Sequence, residues 1–271
     1  MPSTTPDKLD RLKADLRTLK RVAVAFSGGV DSTFLLRVAA DTLGRENVLA
    51  VIGDSASLPR RERSLAEALV EAMGVEHAVV KTGELRDPQY AANPPDRCYF
   101  CKHALFTEIR KRTEARGFAA VLDGNNADDA GDWRPGRRAA HTLGVRSPLL
   151  DAGLTKAEIR EFSRQLGLPT AEKPAMACLA SRLPYGTRIT EQTLGQVEAA
   201  ENVLHDLGFH QLRVRHHGDT ARIEAAPAEF DRFLDPALRQ PVTAALRQLG
   251  YRFITLDLDG YRTGSLNPQS A

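Results

Sequence analysis

The chain has 271 residues, 42% hydrophobic and 27% charged, so it can bury a substantial core and exceeds the usual size of one domain. Its 37 basic and 35 acidic residues leave a net charge of +2, which excludes the broad positive field that binding a long nucleic acid needs. A charged N-terminal stretch, and no apolar run approaching the roughly 20 residues of a membrane span, favour a cytoplasmic protein that uses no membrane.

Strands and helices alternate through the first part of the chain. Leucines at helical spacing predict a helix before the apolar run 21–26, which predicts a strand ending at a glycine turn. Further strands are predicted at 48–54, 77–81 and 118–124, with helices between them. This alternation predicts a doubly wound parallel α/β sheet, with helices on both faces, over residues 1–170.

The pattern changes after Thr190. A helix through residues 197–207 is followed by two short strand candidates, HQLRVRH and ARIEAA, by a helix after Pro236, and by a last strand, FITLDL. These elements predict a second, smaller α+β domain over residues 190–271. The turn-rich segment 171–189 joins the two domains and contains Cys178.

The string AFSGGVDS, residues 25–32, lies where the first predicted strand meets a helix. Glycines there can turn their N–H groups inward, and the helix N-terminus adds partial positive charge, so the string predicts a phosphate site. Asp31 is expected to cap the helix or to hold a phosphate-bound Mg²⁺. The expected nucleotide-binding residues of this loop are Ser27, Gly28, Gly29, Asp31 and Ser32.

The string resembles the PP-loop of the ATP pyrophosphatase family. The resemblance implies that the chain binds ATP with Mg²⁺, that a substrate oxygen attacks the α phosphate, and that pyrophosphate leaves. The string does not match a Walker loop, because no Gly-Lys-Ser/Thr follows it.

Polar residues also follow the other predicted strands, at the edge where a doubly wound sheet places its ligand crevice. Asp54 and Ser55 are expected to border the nucleotide, and Asp129 in DGNNADD is expected to help hold Mg²⁺. For each of these residues, a solvated loop or a helix cap is the alternative. Lys102, which follows Cys101, is counted with the nucleotide-binding residues.

Several longer motifs resemble the LarE family of ATP-dependent sulfur transferases, which make the nickel-pincer nucleotide cofactor of lactate racemase. The motifs are SGGVDS, RCYFCK, CLASRLPYGTRIT, LRVRHH, ARIEAA and GYRTGSLN, and the resemblance covers nearly the whole chain. It implies a homo-oligomer that adenylates the carboxylates of pyridinium-3,5-biscarboxylic acid mononucleotide and converts them to thiocarboxylates.

The sulfur in this reaction is expected to involve Cys178. The resemblance implies a reactive cysteine at this position, and a thiolate there can displace AMP from an adenylated carboxylate. Ser181 and Arg182 are expected to act beside it, and the positive charge of Arg182, Lys173 or Arg188 is expected to lower the pKa of the thiol. In one branch of the family the matching cysteine surrenders its own sulfur.

The pair Cys98 and Cys101 goes beyond what that branch needs. Three thiolates can hold a four-iron four-sulfur cluster and leave one iron open for an extra sulfide, as the resemblance to the cluster-dependent branch implies, with Cys178 as third ligand and an outside sulfide or sulfur donor. The alternatives are sacrificial sulfur from Cys178, a zinc site completed by His103, and cysteines that bind no metal.

Two arginines alternate along the strand LRVR, so their side chains leave one face of it. Arg213 and Arg215 are expected to bind the phosphate of the mononucleotide, because the guanidinium fork pairs with phosphate oxygens. Glu201 and Glu224 are expected to hold a divalent ion near the substrate.

Four other residues have weaker assignments. Trp133, in the basic stretch GDWRPGRR, is expected to lie in a lid. His216 and His217 are expected to pack or to face solvent, and the role of Arg262 does not follow from the sequence.

Three competing functions remain at this point. A tRNA thiolase of the PP-loop class needs a broad basic surface, and an amidating PP-loop ligase leaves the three cysteines without a task. A zinc-stapled nucleotide-binding module predicts ATP binding without pyrophosphate release.

Overall fold

The computed structural model of the chain describes residues 5–131, 135–262 and 266. Trp133, which was predicted to lie in a lid, is outside the described residues, whereas Arg137 and Arg138 of the same basic stretch belong to a helix, Pro135–Thr142. In the part of the chain that is described, none of the helices combines the length and the hydrophobicity that crossing a membrane requires.

The chain forms two compact units, and each is built from two stretches of sequence. The first unit comprises Met1–Asp87 and Asp96–Met176, and the second comprises Pro88–Pro95 and Ala177–Ala271. The polypeptide therefore passes between the units after residues 87, 95 and 176. The domain bounds of the sequence analysis stay a prediction.

Helices and strands are numbered in chain order. The helices are α1 (Thr5–Leu19), α2 (Val30–Leu43), α3 (Arg60–Ala72), α4 (Pro88–Ala91), α5 (Arg97–Glu114), α6 (Pro135–Thr142), α7 (Pro148–Asp151), α8 (Lys156–Gln165), α9 (Glu191–Asp206), α10 (Phe230–Leu234) and α11 (Pro236–Gln248). The strands are β1 (Val22–Ala25), β2 (Val48–Asp54), β3 (Glu76–Lys81), β4 (Ala120–Leu122), β5 (Leu212–His217), β6 (Thr220–Ala225) and β7 (Phe253–Leu256).

The first unit is a parallel sheet with the strand order β3-β2-β1-β4. The chain starts at β1, moves outward through β2 and β3, and then returns to place β4 on the other side of β1. An isolated parallel bridge from Leu122 to Arg146 extends the sheet beyond β4. The reversal of direction between β1 and β4 is where a doubly wound sheet opens its ligand crevice.

Alternating side chains bury both faces of this sheet. Val22 and Val24 of β1 pack into one core with α1, α2, α3 and α8, whereas Ala23 packs into another with α5 and α6. Burial on both faces explains why β2 is an apolar run rather than an alternating pattern.

The second unit is a three-stranded sheet packed against α9, α10 and α11. β5 pairs antiparallel with β6, and β6 pairs parallel with β7. The two-residue connection between His217 and Thr220 contains Gly218 at a φ of +62°, the positive φ that such tight hairpins need. The predicted fold class, a doubly wound parallel sheet with a smaller α+β domain, is confirmed.

One ion pair ties α1 to the start of α8. The Glu158 carboxylate accepts hydrogen bonds from Lys8 Nζ at 2.9 Å and from Thr5 Oγ1 at 2.8 Å, and it closes a capping box with Thr155. Burial alone would raise the pKa of Glu158, but these bonds outweigh it and hold the pKa at about 2, below the ordinary 4.5.

Replacing this carboxylate is expected to destabilise the protein in a pH-dependent way. Because the folded-state pKa lies below the unfolded one, the carboxylate stabilises the fold above pH 4.5 and loses this effect as the pH falls toward about 2. Glu158→Gln should lower the free energy of unfolding by about 1–2 kcal/mol at pH 7. The expected loss is modest because the pair lies close to solvent, which screens the charges. Urea unfolding at several pH values checks this, with the exposed Glu161→Gln on the same helix as control. A difference that does not shrink in acid would contradict the assignment.

Candidate active site

The phosphate loop, residues 26–32, joins β1 to α2 at the carboxyl edge of the sheet. Phe26 N–H donates to Val51 O at 2.9 Å, which fixes the start of the loop on the neighbouring strand. The segment after β4 lies against the other side of the loop, because a Cβ placed on Gly124 would come within 3.1 Å of Ser32 N. The structure therefore brings the loops after β1 and β4 together, as the strand order requires.

Hydrogen bonds within the loop hold its serines in place. The Ser27 and Ser32 hydroxyls lie 3.1 Å apart, and Ser32 Oγ donates to Gly29 O at 3.2 Å. Gly29 N–H donates to Ser27 Oγ across a long 3.4 Å. A phosphate is a stronger acceptor than this hydroxyl, so the Gly29 amide can turn to an anion at small cost.

Gly28 has two reasons to be glycine. Its φ is +67°, and a Cβ there would lie 3.0 Å from Ala66 Cβ and 3.2 Å from Ala66 Cα in α3. Lys173 Nζ donates to the Gly28 carbonyl at 3.0 Å and to Glu62 Oε2 at 2.7 Å. The loop is therefore fixed by packing from α3 and by a cation from the end of the first unit.

Asp31 lies in the first turn of α2, which begins after Gly29 without a side-chain cap. Its carboxylate accepts from Lys156 Nζ at 2.5 Å and from Asn126 Nδ2 at 3.4 Å. The structure thus pairs Asp31 with a lysine at the carboxyl edge of the sheet, and binding of Mg²⁺ by Asp31 stays a prediction.

Two more carboxylates follow β4. Burial raises the pKa of Asp123, against the opposing effects of hydrogen bonds from Ser147 and Asn125 and of the nearby Lys102 ammonium. Asp129 is buried and accepts from Asn126 N–H at 3.0 Å, so it closes the turn after the strand. The predicted Lys102 thus lies near the acidic end of β4, whereas Asp123 was not predicted.

The end of β2 carries the other predicted nucleotide-binding residues. Asp54 pairs with Arg63 at 2.8 Å, and the Ser55 hydroxyl donates to the buried Glu84 and accepts from Ser57 N–H at 3.0 Å. These contacts fix the residues that follow β2, the strand that pairs with β1 next to the phosphate loop. Direct binding of ATP by Asp54 and Ser55 stays a prediction.

Cys98 and Cys101 lie in the first two turns of α5, which begins at Arg97 rather than near Cys101 as predicted. Residues three apart on a helix share a face, so both sulfurs leave the same side of α5. Cys98 is exposed and Cys101 half-buried, and none of the three cysteines forms a disulfide. The His103 ring lies beside Tyr99, with ring centroids 5.8 Å apart.

In the second unit, Cys178 opens a 3-10 turn, Leu179–Arg182, and is half-buried. Ser181 Oγ donates to Cys178 O at 2.7 Å. Arg182 Nη1 donates to Ala177 O at 2.7 Å and to Cys178 O at 2.9 Å. Ser181 and Arg182 therefore hold the backbone of Cys178, which fixes the position of the Cα atom from which the thiol side chain extends.

Two buried ion pairs lie beneath this turn. Arg182 binds Glu201 through two hydrogen bonds of 2.9 and 3.0 Å, and Glu201 also accepts from Val214 N–H at 3.0 Å. Arg215 donates to Ser181 O at 2.9 Å and to Glu224 at 2.7 Å. The turn is thus tied to α9 and to β5.

The two glutamates predicted to hold a divalent ion are these same ion-paired residues. Among residues 5–131, 135–262 and 266, no three His, Cys, Asp or Glu side chains are grouped so that they could hold a metal ion. Metal binding by Glu201 and Glu224 stays a prediction.

Arg213 lies on β5 beside Tyr261, with its guanidinium 5.1 Å from the ring centre. Burial lowers the pKa of Arg213, and the positive charge of Arg182 lowers it further. A half-buried guanidinium near a second cation is stabilised by an anion. Phosphate binding by Arg213 stays a prediction.

The three residues without a predicted role have ordinary surroundings. Buried His216 lies 3.2 Å from the Tyr251 hydroxyl, and burial lowers the pKa of both His216 and His217. Arg262 pairs with Asp259 at 3.0 Å on the surface.

Sequence reasoning missed the lysine contacts of the phosphate loop. Lys156 reaches Asp31 across 125 positions, and Lys173 reaches Gly28 across 145. No local pattern links such distant residues; Lys173 was considered only as a neighbour of Cys178.

The chain is similar to several known proteins. The sequence profile described as NAD synthase matches residues 9–93, which include the phosphate loop. An uncharacterized protein of Synechocystis is 42% identical over 260 residues, covering 96% of this chain and 97% of its own. The pyridinium-3,5-bisthiocarboxylic acid mononucleotide synthase of Lactiplantibacillus plantarum is 40% identical over 265 residues, covering 98% and 95%. The NH₃-dependent NAD⁺ synthetase of Methanococcoides burtonii is 28% identical over 56% of this chain and 59% of its own.

The fold and the loop at the β1–β4 reversal define a PP-loop protein of the ATP pyrophosphatase class. The chain belongs to the LarE family, that of the pyridinium-3,5-bisthiocarboxylic acid mononucleotide synthases, as its motifs predicted.

Gly28→Ala is expected to weaken nucleotide binding. The new methyl group meets Ala66 at 3.0 Å, and alanine at this φ costs about 1–2 kcal/mol. The loop should shift, and ATP affinity, measured by calorimetry, should fall about tenfold or more. The control is Gly117→Ala, at a φ of +71° with open space around its Cβ. Equal affinities in the two variants would contradict the loop's role.

Glu201→Gln is expected to destabilise the protein by about 3 kcal/mol, because it leaves the Arg182 charge buried without its counter-charge. The double variant Arg182→Met/Glu201→Leu should lose less, since both charges are then removed together. Urea unfolding followed by circular dichroism checks both. If Glu201→Gln and the wild type have the same free energy of unfolding without added metal, the ion pair with Arg182 is not the main role of Glu201.

Proposed function

We propose that this chain is the ATP-dependent sulfur transferase that converts the carboxylates of pyridinium-3,5-biscarboxylic acid mononucleotide to thiocarboxylates. The carrying observation is the 40% identity, over 98% of this chain, to a relative named as the synthase of the bisthiocarboxylic product. The PP-loop class of the fold supplies the chemistry that such a conversion needs, since a carboxylate must be activated before sulfur can replace its oxygen.

The first step is adenylation. A substrate carboxylate oxygen attacks the α phosphorus of ATP, the bond to the β-phosphate oxygen breaks, and pyrophosphate leaves with both electrons of that bond. We assign the departing pyrophosphate to the Gly29 amide and the Ser27 and Ser32 hydroxyls, which hydrogen bonds within the loop bring together. We assign the accompanying Mg²⁺ to Asp31 and Asp129, the predicted carboxylates at the carboxyl ends of β1 and β4.

The substrate's own phosphate is assigned to Arg213 and Arg215. Arg213 is the stronger candidate, because burial and the charge of Arg182 disfavour its cation until an anion arrives. Arg215 is buried against Ser181 O and Glu224, so it also supports the Cys178 turn. One face of β5 would thus hold the phosphate near the residues that fix Cys178.

The second step replaces AMP by sulfur. A Cys178 thiolate can attack the acyl carbon, and AMP leaves with the electrons of the acyl–oxygen bond, which forms a thioester. If a base then removes the Cα proton of Cys178, the Cβ–S bond breaks, the thiocarboxylate leaves, and dehydroalanine remains. In this route each chain supplies one sulfur atom.

A four-iron four-sulfur cluster on Cys98, Cys101 and Cys178 is the alternative that we favour. Cys98 and Cys101 leave one face of α5, as two ligands of one cluster must. Cys98 lies three residues after the crossing at residue 95, and Cys178 lies two after the crossing at 176, so both segments start where the chain changes units. When bound, such a cluster would supply an open iron able to carry a sulfide from an outside donor, and Cys178 would be a ligand that is not consumed.

Competing activities are less well supported. The relative that is an NH₃-dependent NAD⁺ synthetase matches 56% of this chain, whereas the pyridinium-3,5-bisthiocarboxylic acid mononucleotide synthase matches 98%. A tRNA thiolase needs a broad positive surface, which a net charge of +2 does not provide. We propose that the protein acts as a homo-oligomer on a small nucleotide-like substrate.

The decisive experiment incubates the anaerobically purified protein with ATP, Mg²⁺ and the biscarboxylic mononucleotide. Pyrophosphate release and a product heavier by the mass difference between sulfur and oxygen are expected. Cys178→Ala should still release pyrophosphate, because adenylation uses the first unit's loop, but should yield no thiocarboxylate. Pyrophosphate release with an amide product on adding ammonia, and no sulfur product, would instead favour an amidating ligase.

The two sulfur sources are separated by the other cysteines. If a cluster operates, Cys98→Ala and Cys101→Ala lose both bound iron and sulfur transfer. If Cys178 is sacrificed, both variants stay active, and peptide mass spectrometry shows dehydroalanine at position 178 after one turnover. Active iron-free variants would therefore contradict the cluster.

A further inference from the structure

Lys173 bonds directly to the loop that receives the phosphates. Its ammonium donates to Gly28 O at 3.0 Å and to Glu62 Oε2 at 2.7 Å, and only 22% of the side chain is exposed. All three residues belong to the first unit. The lysine is the last residue with a described side-chain bond before the chain leaves this unit after residue 176.

The bond to Gly28 sets the direction of one peptide group. The Gly28–Gly29 peptide is trans, so its carbonyl and its N–H point in opposite directions. When Lys173 holds the carbonyl, the Gly29 N–H at the start of α2 turns to the other side. Because Gly28 is a glycine at positive φ, this peptide could otherwise rotate at little cost.

The chain is anchored at Lys173 and again at Ala177, whose carbonyl oxygen accepts from Arg182 Nη1 at 2.7 Å. Arg160 donates to the carbonyl oxygens of Ala171 and Lys173, the latter at 2.9 Å, and Lys173 N–H donates to Thr170 O at 3.0 Å. The side chains at 174–177 are exposed, and regular structure resumes at Leu179. Residues 174–176 therefore form a short link between two held points of the chain, Lys173 and Ala177.

Cys178 follows Lys173 by five residues. Even a fully extended chain of that length spans at most about 18 Å. So short a tether, without packing of its own, passes a displacement of Lys173 on to the residue that begins the 3-10 turn.

We propose that Lys173 is a positioning residue that couples occupancy of the phosphate loop to the segment carrying Cys178. This inference rests on the proposed function, because it takes the loop to bind the phosphates of ATP. An anion held by the Gly29 N–H polarises this peptide and makes the Gly28 carbonyl a stronger acceptor, so ATP draws the Lys173 ammonium closer to the carbonyl, and residues 174–178 move with the lysine. Binding of ATP thereby sets the Cys178 segment before sulfur is needed.

Hydrogen–deuterium exchange tests the coupling without turnover. With Mg²⁺ and saturating α,β-methylene ATP, the wild type should slow exchange at 27–33 and change it about threefold or more at 174–179. Lys173→Gln should keep the protection at 27–33 and lose the change at 174–179, whereas Lys173→Arg, which keeps the charge, should retain both. Lys111→Gln, an exposed lysine of α5, should behave as the wild type does. An unaltered response in Lys173→Gln would overturn the proposal.

Glu62 gives a test of opposite sign. Glu62→Gln removes the carboxylate that competes for the ammonium, so pyrophosphate should bind more tightly, whereas Lys173→Gln should weaken its binding about tenfold. General damage to the fold would weaken both, and that result would overturn the assignment. If the analogue protects 27–33 with no change at 174–179 in the wild type, the coupling fails while the sulfur transferase function stands. Absence of pyrophosphate release with substrate would contradict the function itself.

Discussion

The order of strands in the parallel sheet is the constraint on which the first unit's chemistry depends. Because β1 lies between β2 and β4, the chain leaves β1 in one direction and returns on the other side, and the two following loops must meet at one edge. The phosphate loop supplies amides and hydroxyls there, and the loop after β4 supplies buried carboxylates. A site for a negatively charged nucleotide and its cation therefore follows from topology before any single side chain is considered.

In the second unit, two buried ion pairs fix the position of the 3-10 turn that Cys178 opens. Buried charges are costly, so the pairs Arg182–Glu201 and Arg215–Glu224 are weak devices for stability alone. Each arginine, however, also donates to a carbonyl oxygen of the turn that Cys178 opens. The glutamates thus hold the two arginines in place, and the arginines in turn fix the backbone beside the Cys178 thiol. A fixed backbone suits a residue that must present sulfur at one position.

Sequence reasoning succeeded where burial leaves a local pattern. β2 was predicted at Val48–Asp54, as observed, because a strand buried on both faces is a short apolar run between turn residues. It failed at α5, which begins four residues before the predicted Cys101, directly after its N-cap residue Asp96. The partners of Glu201 were beyond reach, because a carboxylate 19 positions from its arginine shows no sign of being buried with it. The short helices α4 and α7 were not predicted, because four residues are too few to show the helical spacing of apolar residues.

The division of the chain into two units bears on the positions of the three cysteines. Adenylation needs groups that are rigid relative to one another, and the loops of the first unit share one sheet edge. Sulfur transfer needs an activated acyl group, because a carboxylate that has not been adenylated has no leaving group and cannot acylate a thiolate. Cys98, in the first turn of α5, and Cys178, at the start of a 3-10 turn, each lie a few residues beyond a point where the chain passes between the units. An anchored lysine at the end of the first unit, bonded to the phosphate loop, is then well placed to give the two steps their order.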